Sequence, residues 1–123
     1  MSRKRLALLI TRTTPESAYV PLMMAATAAA MDYECKLFYA MGGLELLLPM
    51  PRLEIPEAMA NAFPGFVELR ETCLGQGVEL IACSASLAMG SLKREQLIPK
   101  ASVAGMATWI VFASGAEIQL NFG

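Results

Sequence analysis

A chain of 123 residues is long enough to bury a core of its own and sets one domain, spanning residues 1–123, as the expectation. Ten basic residues stand against eleven acidic ones, with no basic stripe beyond residues 3–5, so the electrostatic footprint of a nucleic-acid binder is missing. The chain has no histidine, which excludes Cys–His and Ser–His nucleophile pairs and His-bearing metal sites within one chain.

Hydrophobic residues make up 55%, and mean hydropathy is +0.47, high for a small soluble monomer. A membrane span and a large subunit interface are the competing explanations. The apolar stretch over 103–116 has 14 residues, against the roughly 20 that a bilayer needs. Arg3-Lys4-Arg5 precedes only Leu6 to Ile10, shorter than the core of a signal peptide, and no small-residue cleavage site follows promptly. Buried contacts between copies are the better explanation. The three cysteines, Cys35, Cys73 and Cys83, include no close pair. With no secretion signal, that pattern points to a reducing cytoplasm and not to a disulfide framework.

Residues 5–11 are apolar on both faces, which predicts a strand covered on both sides. A loop over 12–15 follows, and Pro15 or Ser17 starts a helix over 17–31. Val20, Met23, Met24 and Thr27 are its expected packing face, although it is apolar nearly all round. Residues 32–39 predict a second strand, completing a βαβ unit, with Cys35 early in it and structural. Ala40-Met41-Gly42-Gly43 is a permissive turn, and 44–48 a short helix with three exposed or interfacial leucines. Pro49, Pro51 and Pro56 then predict an irregular segment, a candidate lid or docking loop.

A helix is expected over 66–75, with Phe66, Val67, Arg70, Cys73 and Leu74 at helical spacing and Cys73 inert on the core side. After the Cys83 strand, Ser91 caps a short helix through Ile98, whose Lys93, Arg94 and Glu95 form a solvated face. A short strand over 101–103, a helix over 104–114 and an alternating edge strand over 116–122 close the chain. The fold class is therefore α/β: a three-layer α/β/α domain with a mostly parallel five-stranded sheet.

The stretch that carries chemistry is Gly77-Val78-Glu79-Leu80-Ile81-Ala82-Cys83-Ser84-Ala85-Ser86. It reads as a buried strand feeding a tight turn and the first turn of a helix. In open α/β sheets, chemistry sits at the carboxyl ends of the strands. Free N–H groups at a helix start favour an anion, hence a thiolate at Cys83, and Ser84 and Ser86 add hydroxyl donors. The competing reading is a small buried cysteine used as a hydrophobe.

The segment Gly77 to Gly90, a Gly-Val-x-x-x-x-Cys strand with a glycine seven positions after the cysteine, resembles the signature of the DsrE/DsrF-like sulfur-relay family. The aromatic-Gly-Leu stretch over 37–48 and residues 92–109 resemble the branch of that family often described as peroxiredoxin-like. In that branch a tryptophan or phenylalanine commonly precedes the glycine; Met41 and Gly42 stand there in this chain. The resemblance implies a DsrEFH-like fold and a cytoplasmic protein that carries sulfane sulfur as a persulfide on Cys83. It implies exchange with a TusA-like carrier protein and self-association as a trimer or hexamer. Gly42, Gly43, Ser84 and Ser86 are the candidate substrate-binding residues.

Sulfur transfer needs a nucleophilic thiolate, room for one more sulfur and shelter from stray thiols, and it requires no metal or organic cofactor. Two other functions use the same residues. A thiol redox sensor at Cys83 needs a resolving thiol, and Cys35 and Cys73 stand in the wrong places for it. A non-catalytic subunit or small-ligand binding module leaves Cys83 merely packed.

Overall fold

The computed structural model describes residues 3–123. Its strands are β1 (Arg5–Ile10), β2 (Glu34–Tyr39), β3 (Glu79–Cys83), β4 (Ser102–Ala104) and β5 (Ile118–Phe122). They form one sheet in the order β4-β3-β2-β1-β5, and all four pairings are parallel. The helices are α1 (Pro15–Ala30), α2 (Glu57–Ala62), α3 (Phe66–Gly75), α4 (Ser84–Ala88) and α5 (Met106–Ser114). The α/β fold expected from the sequence is the one observed.

Side-chain alternation divides the core in two. Leu6, Leu8, Ile10, Leu37, Tyr39, Leu80 and Ala82 share one buried cluster with α1 and α3. Ala7, Phe38, Ile81 and Cys83 share the other with Trp109 and Phe112 of α5. Period-two alternation on a strand produces this split, so two apolar faces demand helices on both sides. α5 has buried residues only at Trp109 and Phe112, so this second layer is thin.

Thr14 caps α1, its hydroxyl accepting the Ser17 N–H at 3.2 Å, with Pro15 in the first helical position. The packing face differs from the expected one. Ala18, Tyr19, Leu22, Ala25 and Ala28 turn inward, while Val20, Met23 and Thr27 are exposed. A helix apolar all round carries no phase in its sequence, and the alanines allow the closer approach to the sheet.

The expected helix over 44–48 is a 3-10 helix, Met41–Leu47, and its Leu44, Leu46 and Leu47 are buried, not exposed. Arg70 explains the difference. Its guanidinium, almost wholly buried, donates to the carbonyls of Leu46 at 2.6 Å, Leu48 at 2.7 Å and Pro49 at 3.1 Å. It also lies 5.2 Å from the centre of the Phe66 ring. These bonds satisfy carbonyls at the end of the 3-10 helix and draw its leucines into the core.

The segment from Pro49 to Pro56 is irregular, as expected, and an unforeseen short helix, α2, follows it at Glu57–Ala62. The helix expected from Ser91 to Ile98 is only a 3-10 turn, Arg94–Gln96. Arg94 is half-buried rather than solvated, donating to the carbonyls of Ile98, Pro99 and Ala101. The last helix starts two residues later than expected, with Gly105 at its cap. Among the described residues, no helix is long and apolar enough to cross a membrane.

Candidate functional site at the carboxyl edge of the sheet

Cys83 is the last residue of β3 and the cap residue of α4. The sequence Ala-Cys-Ser-Ala-Ser makes this possible: a buried strand ends, and small residues allow the chain to turn at once into a helix. Cys83 is buried, paired in register with Ala104 of β4, and shares its cluster with Ala40 just beyond β2. Alanines at these two positions leave little side-chain bulk beside the thiol. Trp109 and Phe112 belong to the same cluster, so α5 covers this face of the sheet. The strand order reverses between β1 and β5, so Cys83 stands on the carboxyl edge of the sheet but away from the switch point.

The two other thiols lie across the sheet. Cys35 and Cys73 are in the cluster under α1 and α3, where Cys73 donates to the Leu22 carbonyl at 3.3 Å. Burial pushes the Cys73 thiol up to about 11, with proximity to Cys35 adding to the effect. Burial also raises the pKa of Cys35. Both are held as neutral thiols near pH 7, away from Cys83. No disulfide links any of the three.

The other candidate residues meet around the 3-10 helix. Ser86 is buried, and its Oγ accepts the Met41 N–H at 2.9 Å. Met41 has a φ of 52°, a left-handed conformation that costs a non-glycine residue about 1–2 kcal/mol. The Ser86 bond is one of the contacts that hold it there. Met41, Gly42, Glu45, Ser86, Met89 and Ser91 line a cavity of about 250 Å³. Cys83 is not among its lining residues, and its side chain packs on the α5 side.

Gly42 and Gly43 have different tasks. Gly42 is exposed and lines the cavity, and a Cβ there would come 3.0 Å from the Thr11 carbonyl oxygen. Gly43 is buried, and a Cβ would collide with the Ile10 carbonyl, so it is needed for close packing against β1. Ser84 is exposed, with its hydroxyl beside Gly105 at the start of α5. The structure thus brings Ser86 and Gly42 to one cavity and leaves Gly43 in the core. Ser84 stands between the Cys83 strand and α5. The sequence reasoning missed Met89, Ser91 and Trp109 around the site. Trp109 is the only tryptophan in the chain, a signal that was available.

The model of the DsrE/DsrF-like family matches residues 4–122. This chain belongs to the DsrE/DsrF-like family. A relative, the sulfur carrier protein DsrE2 of Allochromatium vinosum, is 28% identical over 157 aligned positions, covering 98% of this chain and 99% of that one. Two solved structures share the DsrE-like fold. A protein of unknown function, MTH1491 from Methanobacterium thermoautotrophicum, has a TM-score of 0.67 at 14% identity, covering 96% of this chain and 98% of that one. The ychN protein of E. coli has a TM-score of 0.66 at 17% identity, covering 98% and 100%.

Proposed function

We propose that this chain is a sulfur carrier of a cytoplasmic sulfur relay, holding sulfane sulfur as a persulfide on Cys83 and exchanging it with a TusA-like carrier protein. One observation carries the reading: Cys83 ends β3 on the sheet's carboxyl edge, between small alanines and away from both other thiols. Membership of the DsrE/DsrF-like family and likeness to a named sulfur carrier give it chemical direction.

The chemistry is an exchange. The Cys83 thiolate attacks the outer sulfur of a donor persulfide. A new S–S bond forms as the donor's S–S bond breaks, and the donor leaves as a thiolate. The proton stays on the transferred sulfur, and nothing is oxidised overall. Delivery is the same exchange in reverse order, onto the thiolate of the acceptor. Burial under α5 is the shelter such a persulfide needs, so loading requires the partner to reach the carboxyl edge where Ser84 and Ala85 are exposed. Ser86 and Gly42 line a cavity at the same carboxyl edge that Cys83 does not line, where they meet the donor's surface rather than its reacting sulfur.

Self-association, as a trimer or hexamer, belongs to the same reading. Met31, Met106, Ile110 and Val111 are exposed, and a 55% hydrophobic chain without an apolar span gains by covering them. Incubation with polysulfide or thiosulfate followed by mass spectrometry tests the function. Sulfur adducts of ~32 Da each on Cys83 are expected, whereas oxygen adducts alone indicate a redox sensor and an unmodified thiol indicates a scaffold.

A further inference from the structure

The cavity of about 250 Å³ beside Ser86 has a single charged group in its lining, the Glu45 carboxylate. Glu45 is exposed, and among the described residues no cation of the chain pairs with it: the ion pairs are Arg3–Asp32, Arg5–Glu34 and Lys36–Glu79. Arg12 passes close to Gly42 but does not line the cavity. Met41, Leu44, Met89 and Leu92 supply an apolar wall, and the hydroxyls of Ser86 and Ser91 complete it. Met41 and Met89 are 56% and 63% exposed, and their unbranched thioethers adapt readily to a side chain laid against them.

We infer that this cavity receives a lysine or arginine side chain of the protein that exchanges sulfur with Cys83. Such a side chain has an apolar stem and a cationic head. The cavity offers the complement, an apolar wall beside one unpaired carboxylate. Its volume of about 250 Å³ lies below the roughly 300–1,000 Å³ of small-molecule sites, which suits a single side chain better than a free ligand. Cys83 does not line it: the thiol packs on the α5 side, while Ser86, three residues later, is at the cavity. An occupant that reaches both places must therefore span the short helix α4, which a protein does and a polysulfide ion does not. Opposite charges across a contact of this kind steer the encounter and fix its register.

This inference rests on the sulfur-exchange reading and adds to it the group that recognises the partner. Polysulfide loading of the wild-type chain reads the thiol alone, and its failure ends both. Transfer from a persulfide-loaded TusA-like carrier is then followed over carrier and salt concentration. Glu45 is exposed, so its substitution leaves the core intact. Glu45→Gln should raise the carrier concentration for half-maximal rate about fivefold, keep the maximal rate, and flatten the salt dependence. Glu45→Lys should raise that concentration further. In a second arm, the lysines and arginines of the carrier are changed to glutamate one at a time. One such carrier should transfer poorly to the wild-type chain and recover with Glu45→Lys, a coupling that a merely structural Glu45 does not give. An unchanged carrier dependence in both Glu45 variants, or no carrier variant rescued by Glu45→Lys, overturns the inference and leaves the persulfide at Cys83 standing. A wild-type chain that loads from polysulfide but takes nothing from the carrier overturns it as well.

Discussion

Cys83 differs from its two fellow cysteines by where the sheet turns it. Cys35 and Cys73 are packed beneath α1 and α3, and burial keeps both protonated, Cys73 up to about pH 11. Iodoacetamide near neutral pH should therefore modify Cys83 first, once its cover opens, with Cys73 reacting only in strong alkali or after unfolding. Peptide mapping after partial alkylation checks the order. Cys35→Ala and Cys73→Ala should each keep sulfur loading while losing about 1 kcal/mol of stability to a small cavity. Loss of loading in a folded Cys73→Ala protein points instead to a two-thiol mechanism. Arg70 has a different kind of importance, since its guanidinium serves three carbonyls of the 46–49 segment. Arg70→Ala should cost about 3 kcal/mol or more in a urea titration, because buried carbonyls lose their donors.

At the scale of elements, small residues define the site. Ala104→Val adds bulk in the strand beside Cys83, so it should slow sulfur loading at least severalfold while the far-ultraviolet spectrum stays unchanged. Gly43→Ala pushes a methyl group into the Ile10 carbonyl and should destabilise the fold, seen as a lower urea midpoint. Much of this architecture was legible in the sequence. The α3 helix, the succession of five strands along the chain, and the passage from Cys83 into α4 all follow from apolar runs punctuated by Gly and Pro. Other features were not legible, for physical reasons. The inward face of α1 was hidden because its alanines and methionines give no contrast around the helix. The buried leucines of the 3-10 helix depend on Arg70, which is 24 positions from Leu46 in sequence, and no local pattern announces such a bond. Nor does the sequence reveal that the thiol and the cavity at Ser86 are adjacent but distinct.

For the whole molecule, the raised thiol of Cys73 and the buried Tyr39 hydroxyl, whose pKa desolvation also raises, fix the sign of the alkaline response. The unfolded chain releases these protons first, the Cys73 proton near pH 9, while the native fold retains them. Stability is therefore fully present below pH 9 and falls as pH rises toward about 11. Urea midpoints across that range should decline for the wild type and decline less for Cys73→Ala. The proposed persulfide role of Cys83 is tested most directly by mass measurement of the protein after exposure to polysulfide or to a persulfide-loaded TusA-like carrier. Adducts of ~32 Da per sulfur are expected, mapped to Cys83 and absent from a folded Cys83→Ser protein, because a serine hydroxyl without a base is too weak a nucleophile. Sulfur uptake by Cys83→Ser at the wild-type rate would contradict it.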